Sequence, residues 1–143
     1  AFILALIQVE SRFKIKAKSP VGAVGLMQVM PATAAVVIRE MGLPDHAGSP
    51  MLSHRSLTDP FVNITLGITY LAWLRDHYRG LPPYYLVAAY NAGPAKIDDL
   101  ISKGAFKPVQ TKRYFENIRR GVPEFRFYRK TVKKQRPGSL TGV

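Results

Sequence analysis

The stretch Glu10-Ser11-Arg12-Phe13-Lys14-Ile15-Lys16-Ala17-Lys18-Ser19-Pro20-Val21-Gly22-Ala23-Val24-Gly25-Leu26-Met27-Gln28-Val29-Met30-Pro31-Ala32-Thr33-Ala34 decides how this chain folds. Before it, Phe2, Ile3, Leu6 and Ile7 recur at helical spacing. Phe13 suits the same stripe, and Glu10 lies on the same general side. The run Ala1 to Ile7 has no basic leader, and it reads as the inside of a helix rather than a signal peptide. Pro20, Gly22 and Gly25 make residues 19–25 a loop. Leu26 to Met30 is short and apolar and reads as a brief extended piece. Pro31 fits the first position of a new helix, which runs through Val36, Val37 and Ile38 and stops near Gly42.

Outward from this stretch the pattern stays helical. Residues 43–57, with Pro44, Gly48 and Pro50, read as a surface loop. Asp59 is a candidate N-cap with Pro60 in the first helical position. Phe61, Ile64, Ile68, Leu71 and Leu74 then follow at helical spacing, and Gly80 ends the run. Further helices are expected from Pro83 to about Asn91-Ala92-Gly93 and from Pro94 to about Lys103, closed by Gly104. Thr111 is a candidate cap for a helix through Arg119, and Pro123 a candidate start for another. The expected fold is one all-α domain over residues 1–130, followed by a basic tail over 131–143.

The 143 residues are 47% hydrophobic and 21% charged, enough apolar material for a core without staples. The chain has no cysteine, which excludes a disulfide framework and a thiolate metal site. No apolar run approaches the roughly 20 residues of a membrane span. Its 21 Lys and Arg against 9 Asp and Glu leave a net charge of +12, which favours polyanionic partners or serves solubility alone. Arg126, Arg129, Lys130, Lys133, Lys134 and Arg136 concentrate that charge near the end.

Glu10 is the first candidate for chemistry. A carboxylate at the C-terminal end of an apolar helix meets the negative end of the helix dipole. Apolar neighbours such as Leu6 and Phe13 disfavour its charged form, so its pKa should rise. A general acid needs that property to hold a proton at neutral pH. The competing reading is a solvated residue in contact with Lys14, four positions on.

Glu10-Ser11-Arg12-Phe13, then Ser19 to Ala34, then Ala89-Tyr90-Asn91-Ala92-Gly93-Pro94, stand in an order and spacing that resembles the catalytic domain of the soluble lytic transglycosylases. Asp59-Pro60, Asn63-Ile64, Gly67, Tyr70-Leu71 and Thr111 to Tyr114 extend the likeness over nearly the whole chain. The resemblance implies a lysozyme-like helical domain with minimal β structure and a substrate groove. It implies Glu10 as acid/base, and Ser19, Gln28, Met30, Tyr90, Asn91 and Tyr114 as residues contacting the glycan. Competing structural readings are a turn for Ser19, core packing for Met30 and the two tyrosines, and a helix end for Asn91; for Met27 core packing is preferred. Gly22, Gly25 and Gly93 are expected to serve backbone geometry. Where the family commonly has Glu-Thr-Arg before the last tyrosine stretch, Gln110-Thr111-Lys112 stand here, so any contact that glutamate makes is not carried over.

Most glycosidases flank the scissile bond with two carboxylates. Here Asp59 is committed to capping, and Asp45 is the other acid close in sequence to the first half of the site. The resemblance instead implies substrate assistance with one carboxyl, and no metal or cofactor. Peptidoglycan glycan strands are the implied partner, with anionic envelope polymers a further partner for the tail. A monomer in the periplasm or cell envelope, without a nucleic-acid partner, is implied in the same way. The alternatives left open are a hydrolytic muramidase of the same fold, a basic envelope- or nucleic-acid-binding module, and a glycan-binding relative without activity.

Overall fold

A computed structural model describes residues 2–40, 54–107 and 109–120. Among the described residues seven helices follow in order: α1 Phe2–Ser11, α2 Pro31–Glu40, α3 His54–Leu57, α4 Pro60–His77, α5 Pro83–Ala92, α6 Pro94–Ser102 and α7 Val109–Arg120. Between α1 and α2 the chain makes two single antiparallel bridges, Lys18 with Val24 and Val24 with Val29. Among the described residues this is all the β structure, so the all-α expectation with minimal β holds.

Proline positions several helices as expected. Pro31, Pro60, Pro83 and Pro94 each open one. Asp59 caps α4, its Oδ1 accepting from the Val62 N–H at 3.0 Å, a device that contributes ~1 kcal/mol. At the other end Tyr78 is the C-cap, and Gly80 follows with φ 85°. Gly93, with φ 86°, separates α5 from α6 without a Cβ to strain the turn.

The long helix α4 is the spine. Leu66 and Leu71 join Leu6, Ile7, Val24, Met27, Val37 and Ile118 in the larger core. Leu74 and Tyr78 join Ala88, Ala89 and Ile97 in a second cluster towards α5 and α6. Each fully buried leucine contributes roughly 1.5–3 kcal/mol through removal from water. The last helix, α7, packs against α1 and α5, which brings residue 114 beside residue 10.

Four expectations change. Helix α1 ends at Ser11, because Arg12 and Phe13 both take left-handed backbone, with φ 51° and 59°. Phe13 therefore leaves the helical stripe and is exposed. Leu26 to Met30 is a turn rather than an extended piece, with Gln28 left-handed at φ 49° and the Val24–Val29 bridge closing it. Residues 54–57 of the expected loop form α3, and its Leu57 is fully buried. Thr111 lies inside α7, which begins at Val109, and is buried rather than capping. Packing of α7 on the core overrides the capping preference of threonine. The expected loop over 43–53, including Asp45, and the helix at Pro123 and the basic tail lie outside the described residues.

Candidate active site

Glu10 sits in the last turn of α1, at the negative end of that helix. The Tyr114 hydroxyl, delivered by α7, donates a hydrogen bond to Glu10 Oε1. Burial raises the Glu10 pKa, and the Tyr114 hydrogen bond opposes that rise without cancelling it. The carboxyl is thus biased toward its protonated form, as a general acid requires. Lys14 is exposed beyond the chain reversal and forms no ion pair with Glu10. The solvated Glu10–Lys14 pair is therefore not what the fold builds.

The two tyrosines are held un-ionised around this carboxyl. Burial first, then the Glu10 charge, raises the pKa of Tyr114, and the same causes in the same order raise that of Tyr90. Tyr90 spends its hydroxyl proton on the Met27 carbonyl at 2.8 Å. That bond ties α5 to the 25–28 turn and keeps the ring near Glu10. Tyr114 gives its proton to Glu10 itself, so of the two it controls the carboxyl directly.

The chain between α1 and α2 is fixed from inside. Ser19 Oγ accepts from the Ala23 N–H at 2.9 Å, so Ser19 is a turn residue whose own O–H hydrogen remains to be donated. Gln28 Nε2 donates to the Gly25 carbonyl at 2.9 Å and to that of Ala17 at 3.4 Å. Both donors of that amide are occupied, and its Oε1 remains an acceptor. Its left-handed backbone is the kind of local strain that clusters at functional sites. Met30 is exposed, with 37% of its surface free, so it belongs to a rim rather than to the core. Met27 is fully buried, as expected. Asn91 is exposed at the end of α5. No hydrogen bond joins Ser19, Gln28, Met30 or Asn91 to Glu10 among the described residues.

One residue with a decisive part entered the sequence reading only as a member of the family-like Asn63-Ile64 pair, with no role of its own. Asn63, in the first turn of α4, is fully buried. Its Oδ1 accepts from the Met27 N–H at 2.7 Å, and its Nδ2 donates to the carbonyls of Val24 at 2.9 Å and Leu57 at 2.8 Å. A single amide therefore anchors the turn that carries Gln28. Gly25 is shaped to admit it: a Cβ there would run into the Asn63 side chain and lie 2.5 Å from the Leu57 carbonyl oxygen. The available signal was an asparagine on the apolar stripe of a helix, where it can persist only if its hydrogen bonds are satisfied.

Five other described acids are engaged elsewhere. Asp59 caps α4. Asp76 pairs with Arg75 and Arg79, Asp99 with Lys103, and Glu40 with Arg39. Asp98 accepts from the Tyr78 hydroxyl at 2.8 Å and meets His77 at 3.0 Å. Burial raises the Glu10 pKa, whereas the Arg75 and Arg79 hydrogen bonds lower that of Asp76. Among the described residues no group of three acids and histidines is placed to hold a metal.

Residues 1–111 match the model of the Transglycosylase SLT domain family. The soluble lytic murein transglycosylase of Salmonella typhimurium is 35% identical over 118 residues, which is 82% of this chain and 17% of that protein. The crystal structure of the 70 kDa soluble lytic transglycosylase from Escherichia coli superposes with a TM-score of 0.62 at 36% identity, over 73% of this chain and 16% of that one. The structure of an inactive glutamate-to-glutamine mutant of the lytic transglycosylase Slt from Pseudomonas aeruginosa gives a TM-score of 0.58 at 39% identity, over 68% of this chain and 15% of that one. This chain thus corresponds to about a sixth of its relatives' length, and over that part it belongs to the transglycosylase SLT domain family.

Proposed function

We propose that this chain is a peptidoglycan lytic transglycosylase domain in which Glu10 alone serves as acid and then base. The observation that carries this reading is a carboxyl whose pKa burial raises, addressed by one tyrosine hydroxyl, while five other described acids are engaged elsewhere. In the Pseudomonas aeruginosa relative, a glutamate-to-glutamine mutant is inactive. Protonated Glu10 gives its proton to the oxygen bridging C1 of N-acetylmuramic acid and O4 of N-acetylglucosamine, and the C1–O bond breaks. The 2-acetamido oxygen of the muramic acid stabilises the positive charge that develops at C1. The carboxylate left on Glu10 then takes the proton of the C6 hydroxyl as O6 bonds to C1. The products are a 1,6-anhydro end and a free O4 hydroxyl, and no water is consumed.

Ser19, Gln28, Met30, Tyr90 and Asn91 contact the glycan in this reading. The free acceptor of Gln28 and the free proton of Ser19 suit its amide and hydroxyl groups. Tyr114 positions the carboxyl. The setting is the periplasm or cell envelope. The basic residues from Arg126 to Arg136 add affinity for anionic envelope polymers by charge alone, and truncation after Phe125 should weaken sacculus binding at low salt and little at high salt.

Mass spectrometry of muropeptides released from purified peptidoglycan tests the assignment. Anhydro ends, lighter than a hydrolytic product by one water, are expected. Reducing ends would mean a muramidase that activates water with a second carboxylate. Glu10→Gln should abolish release while glycan binding persists.

A further inference from the structure

Directly after Glu10 the chain carries Arg12, Lys14, Lys16 and Lys18, and all four are exposed. Between Glu10 and Glu40 the sequence has no Asp or Glu. Among the described residues none of the four cations forms an ion pair. Apolar side chains stand between and beyond them. Phe13 and Ile15 keep 49% and 47% of their surface in water, and Val21 keeps 77%. Single exposed apolar residues need no explanation, but three within residues 13–21, interleaved with unpaired cations, call for one.

This segment is not a loose loop. Arg12 and Phe13 take left-handed backbone and turn the chain out of α1. Two successive turns follow, in which the Lys14 N–H donates to the Ser11 carbonyl and the Ala17 N–H to that of Lys14, each at 3.0 Å. A third turn, with the Gly22 N–H donating to the Ser19 carbonyl at 3.0 Å, carries Val21. The Ala17 carbonyl accepts from the Gly25 N–H at 2.8 Å and from Gln28 Nε2 at 3.4 Å. The exposed side chains therefore ride on a braced backbone, so little order is lost when they dock. The same bonds tie the segment to Gln28, so a surface that takes it lies beside the candidate site.

We infer that residues 12–21 are a docking surface for an anionic lipid bilayer. The four cations sit among the headgroup phosphates, and Phe13, Ile15 and Val21 enter the interfacial layer. The mixture of side chains decides the partner. A polyanion in water, such as an acidic polysaccharide or a nucleic acid, rewards the charges but leaves the three apolar side chains wet. An apolar protein groove takes those side chains but buries cations without partners, which is costly. A bilayer interface takes both, since basic side chains reach the phosphates while aromatic and aliphatic ones enter the acyl boundary. Each cation near such a surface is worth roughly fivefold in affinity, an attraction that fades within about 10 Å at 0.1 M salt. This docking does not depend on the proposed reaction. It also differs from the effect of the basic tail, which acts by charge alone.

The full chain is sedimented with vesicles of phosphatidylcholine alone and with vesicles of phosphatidylcholine and phosphatidylglycerol in equal parts. Binding to the anionic vesicles, weakening with salt, is expected. The double variant Phe13→Ser, Ile15→Ser keeps every charge and should weaken that binding on the order of tenfold. The double variant Lys14→Gln, Lys16→Gln should weaken it about 25-fold, as two cations at roughly fivefold each. In Phe13→Trp the added indole should be quenched by brominated acyl chains beyond any quenching of the parent. Should the double serine variant fail to fold, Ile15→Ser and the quenching carry the test. Undiminished vesicle binding in the serine variants would overturn the inference and leave attraction by the tail alone. Equal binding to the neutral vesicles would overturn it too. So would a parent that self-associates and is made monomeric by the serine substitutions, since a second copy would then cover this surface.

Discussion

Replacing Asn63 by leucine should remove a large part of the stability margin of this domain. Leucine has the same number and branching of side-chain heavy atoms as asparagine and is favoured in helices, so propensity does not oppose it. What it removes is three hydrogen bonds in a fully buried setting. The Met27 N–H and the Leu57 carbonyl lose the partner described for them. The Val24 carbonyl keeps one, the Val29 N–H at 2.9 Å. Two orphaned buried backbone groups cost about 1–3 kcal/mol each, or roughly 2–6 kcal/mol together, reduced somewhat because leucine is easier to desolvate than an amide. Domains of this size are typically stable by about 5–15 kcal/mol. Urea unfolding at 25 °C should thus show a large drop in midpoint with little change in slope. Asn63→Asp should be no milder: one oxygen can still accept from Met27, but the other faces two carbonyls. A shift below about 1 kcal/mol in Asn63→Leu would refute the claim that this amide anchors the turn.

Tyr114→Phe removes the hydrogen bond that lowers the Glu10 pKa and leaves the burial that raises it. The alkaline limb of its pH–rate profile should therefore move to higher pH, with a reduced rate at the optimum, as measured by release of anhydro ends across pH. Glu10→Gln should be more stable than the parent at neutral pH. Burial holds the folded pKa of Glu10 above its unfolded value, so the ionised form costs stability above the folded pKa, and the advantage of the variant should fade as pH falls through that value into the ordinary glutamate range; thermal unfolding at several pH values checks this. Gly67→Ala would place a Cβ 2.5 Å from the Met27 sulfur. It should cost about 1–3 kcal/mol through overpacking, read from the same urea curves.

The helical class was legible because its signals are local. Prolines at 31, 60, 83 and 94 begin helices whatever surrounds them, since a missing N–H costs nothing in a first turn. Asp59 caps by reaching three residues ahead. Glu10 was legible as a buried acid from its apolar helix, and the ordered blocks around it carried the family. Misreadings fell where distant packing decides. Thr111 looked like a cap and is a buried helical residue, because α7 is held by α1 and α5. Phe13 looked like part of a stripe, but two left-handed residues turn the chain first.

By itself the sequence determined the helix starts and a glutamate at the end of an apolar helix, both of which depend on contacts within a few residues. Only the tertiary structure decided what surrounds that glutamate. Tyr114 reaches it across 104 positions, Tyr90 reaches Met27 across 63, and Asn63 reaches Met27 across 36. No periodicity encodes such pairings, because they depend on which buried polar groups each helix happens to bring within reach of one another once the core has closed.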